Sequence, residues 1–360
     1  MKRRARADFA YGNARVRSRK RDLLSGEDVE RLIGKDVEGL LTALDATPYK
    51  PDVQVALTRY HGSHRLHEAI RLHLARSLEE MRGFYDGSAR ELVDLLLSRF
   101  DVQNVLALLR AKLGRRQYRE ESLLAVVPMG WLSEPVVREI LRQKEPAGAV
   151  ALLCRWTPDP GQARALDAAF GEYERSNDLA ALDRYVLTDH FTRLAAALDR
   201  TGRDGEKLRQ FVHGTVDDTN LITALRLRGA LERGDVAELA LDGELLPGGS
   251  FTAAALTAAT LGPASSSDLI GLGGRSWQAP LDRWVTTGDL PTLELQLEQS
   301  RAAAATGLLA RGDPLAIDVP IGFSVALESE ARQLRLLAEA AIRVREPELV
   351  RRDLFAKVPT

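Results

Sequence analysis

Six histidines and one cysteine are the side chains best suited to hold a metal or attack a carbon centre, so their placement is the first test for chemistry. Three histidines crowd into HGSHRLH as His61, His64 and His67. At 100° per residue on a helix they spread over an arc of about 120°, whereas helical zinc ligands stand four apart and converge. No fourth ligand lies nearby, and the three read as polar positions of a helix. Cys154 ends the apolar run AVALLC and reads as a small core residue. Asp101 and Asp217 are carboxylates in similar settings, but nothing brings them together as an acid–base pair. The patterns GxxxxGK[ST], GxSxG and HExxH are absent. GLGGRS at 271–276 follows no strand pattern and reads as a turn. No reaction is specified, and the chain reads as non-catalytic, with no cofactor, metal or nucleotide.

What the two carboxylates mark is a repeat. Asp101 and Asn104 precede the apolar stripe Val105, Leu106, Leu109 and Leu113, with Arg110 within it and Gly114 after it. Asp217, Asn220, Leu221, Ile222, Leu225 and Arg226 return at an offset of 116, followed by Gly229 at an offset of 115 from Gly114. A third copy, offset by 113, has Glu330 and Gln333 for the acid and amide, then Leu334, Leu337, Ala338 and Ala341, with Glu339 in the arginine's place. Each acid is expected to cap a helix N-terminus, and each glycine to end that helix. A second echo runs alongside: RDLLSGEDVERLI, ESLLAVVPMGWLSEPVVREIL and GELLPGGSFTAAAL each give a Leu-Leu pair, a break and a helix start, with Ser25, Ser133 and Thr252 as caps.

Two echoes in one order predict three tandem pseudo-symmetric helical units. The first covers 1–116 with a basic N-terminal helix, the second 117–235, and the third 236–360 with a Gly/Ser/Pro-rich mobile loop near 262–280. The period exceeds that of common solenoids, and three domain-sized copies make a funnel-like three-part ring rather than a rod. Aromatic content of 6% beside abundant Ala, Leu, Arg and Glu favours an all-α fold. Pro128, Pro146 and Pro158 are expected to interrupt helices, and the clusters LPGGSF, LGPASSSDLIGLGGRSW and RGDPLAIDVPIGF read as loops. No run approaches the roughly 20 apolar residues that span a bilayer, so membrane association is expected to be peripheral. One cysteine excludes an internal disulfide and fits a reducing compartment. The N-terminus lacks the apolar core of a secretory signal. Nine Lys or Arg against Asp8 give the first 21 residues a charge of +8 within a chain of net charge −1. That run has the charge to touch anionic lipid or nucleic acid, but no nucleic-acid-binding fold signature follows it.

The N-terminal segment DFAYGNARVRSRKRDLL resembles the opening helix of the C-subunit family of archaeal and bacterial A/V-type ATPases, homologous to the d subunit of the vacuolar enzyme. Phe9, Tyr11, Asn13, Ala14, Arg15 and Arg17 fill the family's aromatic-x-Tyr-x-Asn-Ala-Arg-x-Arg pattern. DVQNVLALLRAK, VDDTNLITALRLRG and GDPLAIDVPIGFSVALESEARQLRLLA resemble its three internal signatures in order. Glu339, Asp218 on the second apolar stripe and the basic extension before Asp8 depart from the pattern. The resemblance implies a pseudo-threefold funnel and a non-catalytic rotor subunit, peripheral on the cytoplasmic face of the membrane. Its partners would be the central-shaft subunits and the membrane proteolipid ring, with no nucleic acid and no direct nucleotide binding. A free-standing helical-repeat scaffold mediating protein–protein interactions is the rival reading.

Overall fold

Prolines and short polar side chains set where most of the short helices begin. Ser25 and Asp28 form a capping box: the Ser25 hydroxyl accepts from the Asp28 N–H at 3.2 Å, and the Asp28 carboxylate accepts from the Ser25 N–H at 2.9 Å. Asp36 accepts from Gly39 N–H at 2.8 Å, Asp159 from Gly161 N–H at 2.7 Å and Thr252 from Ala255 N–H at 3.2 Å. Ser133 occupies an N-cap position without a side-chain bond. Pro146 and Pro160 stand in the first turns of their helices, where a missing N–H costs nothing.

A computed structural model describes residues 7–114, 124–236, 238, 241–261 and 265–355. The stretch 115–123, holding Leu123 and the expected end of the first unit, lies outside the described residues, as do residues 1–6 of the basic extension. The chain is all-α, and no strand occurs among the described residues. After α1 (Ala10–Arg19) come three short helices, α2 (Gly26–Leu32), α3 (Val37–Asp45) and α4 (Lys50–Arg59). Two long ones follow, α5 (His64–Arg82) and α6 (Gly87–Leu113). The same order recurs as α7 (Glu134–Arg142), α8 (Pro146–Trp156), α9 (Pro160–Ser176), α10 (Leu179–Asp199) and α11 (Glu206–Arg233). It recurs again as α12 (Ala253–Leu261), α13 (Ser265–Gly273), α14 (Arg275–Thr287), α15 (Leu290–Arg311) and α16 (Asp318–Ile342), before a closing α17 (Pro347–Phe355).

In space the chain groups into two compact units: Met1–Asp189 with Leu308–Ala356, and His190–Gly307. In the first, α5 packs against α3, α4, α6 and α16, while α16 also meets α1, α2 and α17. The N-terminal residues of α16, from Asp318 to Leu327, are buried on every side. A second core in that unit joins Val105, Leu109, Val137, Ile140 and Leu153 across α6, α7 and α8. The other unit layers α11, α12, α13 and α14 in chain order, around Leu225, Leu256, Leu269, Trp277 and Leu281.

Four sequence expectations fail here. Asp101, Asp217 and Glu330 lie in the interiors of α6, α11 and α16, so none caps a helix start. Gly114 does end α6, but Gly229 lies within α11, which runs on to Gly234 in a left-handed turn with φ of 78°. The expected loop near 262–280 is helical from Ser265 onward, as α13 and α14, broken only at Gly274. Burial of Leu269, Trp277 and Leu281 overrides the weak helix propensity of its Ser and Gly residues. Likewise Asp318 to Phe323, read as part of a loop, opens α16.

Candidate functional site

The N-terminal motif is a lock on the turn between α15 and α16. Asn13, 2% exposed, donates from Nδ2 to the carbonyls of Pro314 and Ala316 at 2.8 and 2.9 Å. Its Oδ1 accepts from the Tyr85 hydroxyl at 2.7 Å, so the buried amide is satisfied at both ends. Arg17 adds a bond to the Gly312 carbonyl at 2.9 Å. Gly12 must be glycine, because a Cβ there would stand 2.1 Å from the Tyr85 ring; Phe9 meets that ring edge-on at 5.6 Å. Tyr11 and Arg15 point outward. Arg15 donates to the Tyr11 hydroxyl at 2.8 Å and lies 4.5 Å over the Phe84 ring.

The signature amides clamp backbone within or just after the Leu-Leu pairs. Asn104 gives its amide N–H to the Val127 carbonyl at 2.6 Å and takes the Val127 N–H at 2.9 Å. Asn220 repeats the pair with Leu246, at 2.9 and 2.8 Å. Only an amide offers a donor and an acceptor side by side to match one residue's N–H and C=O. In the first unit the neighbouring Val126 carbonyl also accepts from Arg71, itself buried and doubly bonded to Glu68 at 2.8 Å. The third copy uses a different residue. There Glu330 takes the Leu24 N–H at 2.5 Å and the Tyr49 hydroxyl at 2.7 Å. The tie is made by the acid rather than by half-buried Gln333.

The three acids share a burial problem and solve it differently. Burial raises the Glu330 carboxyl above the usual range, against the pull of its Tyr49 and Leu24 donors. Asp217 is raised by burial and held back by the Ser250 N–H, which donates at 2.7 Å. Asp101 is pushed up to about 7, by burial first and by the neighbouring Glu79 and Asp94 charges, with Arg82 opposing. Asp218, the departure on the second stripe, accepts from the Trp277 indole N–H at 2.8 Å and pairs with Arg301.

The signature arginines tie each copy to the first long helix of the next. Arg110 on α6 pairs with Asp183 on α10 at 2.7 Å, and Arg226 on α11 with Glu294 on α15 at 2.5 Å. In the third copy Glu339 on α16 faces His67 on α5 at 3.7 Å, so the contact returns to the first copy with an acid in the arginine's place. Burial lowers the His67 pKa, partly offset by Glu339. The sequence carries the pieces without the pairing. The swap of Arg for Glu339 was visible, and His67 precedes Asp183 by 116 residues, the repeat offset itself.

Taken together these groups bind backbone to helix and helix to helix. Among the described residues no set of three His, Cys, Asp or Glu side chains stands ready for a metal. Cys154 is half-buried against the second core, donates to the Ala163 carbonyl at 3.3 Å and has a raised pKa because of burial.

The family model described as ATP synthase (C/AC39) subunit matches residues 12–352. The chain is similar to the C subunit of the V-type ATP synthase of Thermus thermophilus, 31% identical over 349 residues that cover 93% of this chain and 94% of that one. It is also similar to the C subunit of the A-type ATP synthase of Methanosarcina barkeri, 23% identical over 92% of this chain and 88% of that one. The corresponding V-type protein of Deinococcus radiodurans is 26% identical over 69% of this chain and 66% of its own length.

Proposed function

The chain belongs to the ATP synthase (C/AC39) subunit family, and from that premise we propose that it is the socket of the rotor, joining the central shaft to the membrane proteolipid ring. It is a non-catalytic subunit of a rotary ATPase and assembles with other subunits of that membrane-associated complex. The further reading is that its three helical units, 1–116, 117–235 and 236–360, form a three-part funnel. One face receives the foot of the shaft and the other rests on the ring, on the cytoplasmic side.

The observation that carries this reading is the ordered set of ties from each signature helix to the next copy, α6 to α10, α11 to α15 and α16 back to α5. A chain that transmits torque must resist shear between its parts. Buried, fully bonded amides such as Asn13, Asn104 and Asn220 supply that stiffness, because displacing any of them strands polar groups in the interior. Catalysis and nucleotide binding belong to other subunits. Holding shaft and ring at once also raises the effective concentration of each contact, so losing one weakens both.

The test is ATP-driven ion uptake in vesicles carrying the complex with and without this chain. Uptake should vanish in its absence while the soluble catalytic head still hydrolyses ATP. Undiminished uptake would overturn the socket reading in favour of a scaffold.

A further inference from the structure

We propose that a cavity within the unit His190–Gly307 is a binding site for a small organic amine, its ammonium group taken by Asp217 and Asp218 and its apolar body by Phe251 and Trp277. The proposal does not depend on the socket reading.

The cavity measures about 420 Å³ and is lined from α11, α13, α14 and α15, a volume in the range of small-molecule sites. Its lining divides by chemistry. Phe251 and Trp277, with ring centroids 5.4 Å apart, form an aromatic wall that Leu272 and Leu297 extend. A Cβ at Gly273 would stand 1.9 Å from the indole, so glycine there lets the ring lie against α13.

Charge comes from α11. Asp217 is fixed by the Ser250 N–H at 2.7 Å, and Asp218 by the Trp277 indole N–H at 2.8 Å and by Arg301. Each carboxylate retains lone pairs for a further donor. Among the described residues that line the cavity, two carboxylates face one guanidinium, which leaves one negative charge with His213 neutral. Burial raises both carboxyls against the pull of these donors, so the pair is short of positive charge. An ammonium group entering the cavity supplies that charge, and the faces of the aromatic wall attract the same cation.

One residue points to a guest independently. Gly214 lies on the cavity, one turn before Asp217 and Asp218, inside a helix that glycine weakens. A Cβ built there would meet no described atom within 4 Å, so the packing of this chain does not call for glycine. What its bare backbone does is leave room for a ligand.

Calorimetric titration of the full chain with phenethylamine tests the assignment. Two controls accompany it: phenethyl alcohol, with a hydroxyl in place of the ammonium, and a doubly capped lysine, which carries the ammonium on a peptide backbone. The expected result is saturable binding of phenethylamine, about tenfold or more tighter than either control. Asp217→Asn keeps an acceptor for the Ser250 N–H but removes the charge. It should weaken amine binding about tenfold without lowering the melting temperature. Gly214→Leu should fill the cavity and abolish binding, while the melting temperature holds or rises. No saturable binding, equal binding of amine and alcohol, or unchanged binding in either variant would overturn the proposal. So would capped lysine binding as tightly as phenethylamine, which would assign the cavity to a side chain of a partner. The chain is tested alone, so failure here leaves the socket reading untouched.

Discussion

The second and third signature helices, α11 and α16, solve the same packing problem with different residues. In α11 an amide clamps one residue's N–H and C=O, an acid takes a further N–H, an arginine reaches the next long helix, and a glycine ends the helix. In α16 the acid alone makes the backbone tie, an acid–histidine pair replaces arginine–acid, and Val344 stands at the left-handed end. The two ends are closely equivalent: Asp235 N–H bonds the Ala230 carbonyl at 2.9 Å and Arg345 N–H the Ala340 carbonyl at 3.0 Å. The difference teaches that the repeat keeps positions and connections, while the chemistry filling them is free to change when both partners change together.

The largest effect should separate the amides. Asn220→Ala strands the buried N–H and carbonyl of Leu246 and should cost about 3 kcal/mol, whereas Gln333→Ala should cost less than about 0.5 kcal/mol. Denaturant midpoints of the two variants measure this, and equal losses would show that the third copy uses its amide after all.

Next comes pH. The folded-state pKa of Asp101 is raised to about 7 from an ordinary 3.8. Its contribution to stability is therefore complete below about pH 4 and is lost as pH rises through about 7. Asp101→Asn should leave stability at low pH nearly unchanged and raise it at about pH 8 by about 1 kcal/mol, a figure reduced for the carboxyl's partial exposure. Thermal melts across pH decide it. A parallel offset at every pH would mean that the carboxyl has an ordinary pKa.

Val344 is 88% exposed with φ of 49°, a conformation that crowds a β-branched side chain. Val344→Gly, copying the end of α11, should stabilise by about 1 kcal/mol. A lower melting temperature in this variant would show that the side chain makes a contact which exposure conceals.

The smallest effects belong to the exposed ties. Arg226→Ala and Glu339→Ala should each cost about 0.5 kcal/mol or less. Arg226→Ala should also lose its effect in high salt, because the Arg226 and Glu294 side chains are both more than half exposed. A salt-independent loss would point to packing by the arginine stem rather than charge.

Much of the architecture was legible in order and spacing. The Asp/Asn and Leu-Leu echoes are joined in the fold: Asn104 and Asn220 clamp residues just after or within those pairs, and Glu330 clamps Leu24. The acids mislead because an Asp three residues before an amide and an apolar stripe has the grammar of a helix start. In α6 the preceding ELVDLLLSRF is itself apolar and helical, so the helix begins well upstream, at Gly87. The Gly/Ser-rich third unit misleads for the opposite reason, since Leu269, Trp277 and Leu281 hold as helix what composition reads as loop. His67 belongs by local spacing to a histidine cluster, yet its partner is a carboxylate distant in sequence.

The sequence by itself determined the all-helical class and the residues that recur, because periodicity and helix propensity act within a few positions of the chain. Only the tertiary structure decided what those residues bind. Leu24 and Glu330 lie 306 positions apart and Asn13 and Ala316 lie 303 apart. A hydrogen bond needs its partners in contact and leaves no local mark on the sequence around either one, so these ties exist only once the chain has folded.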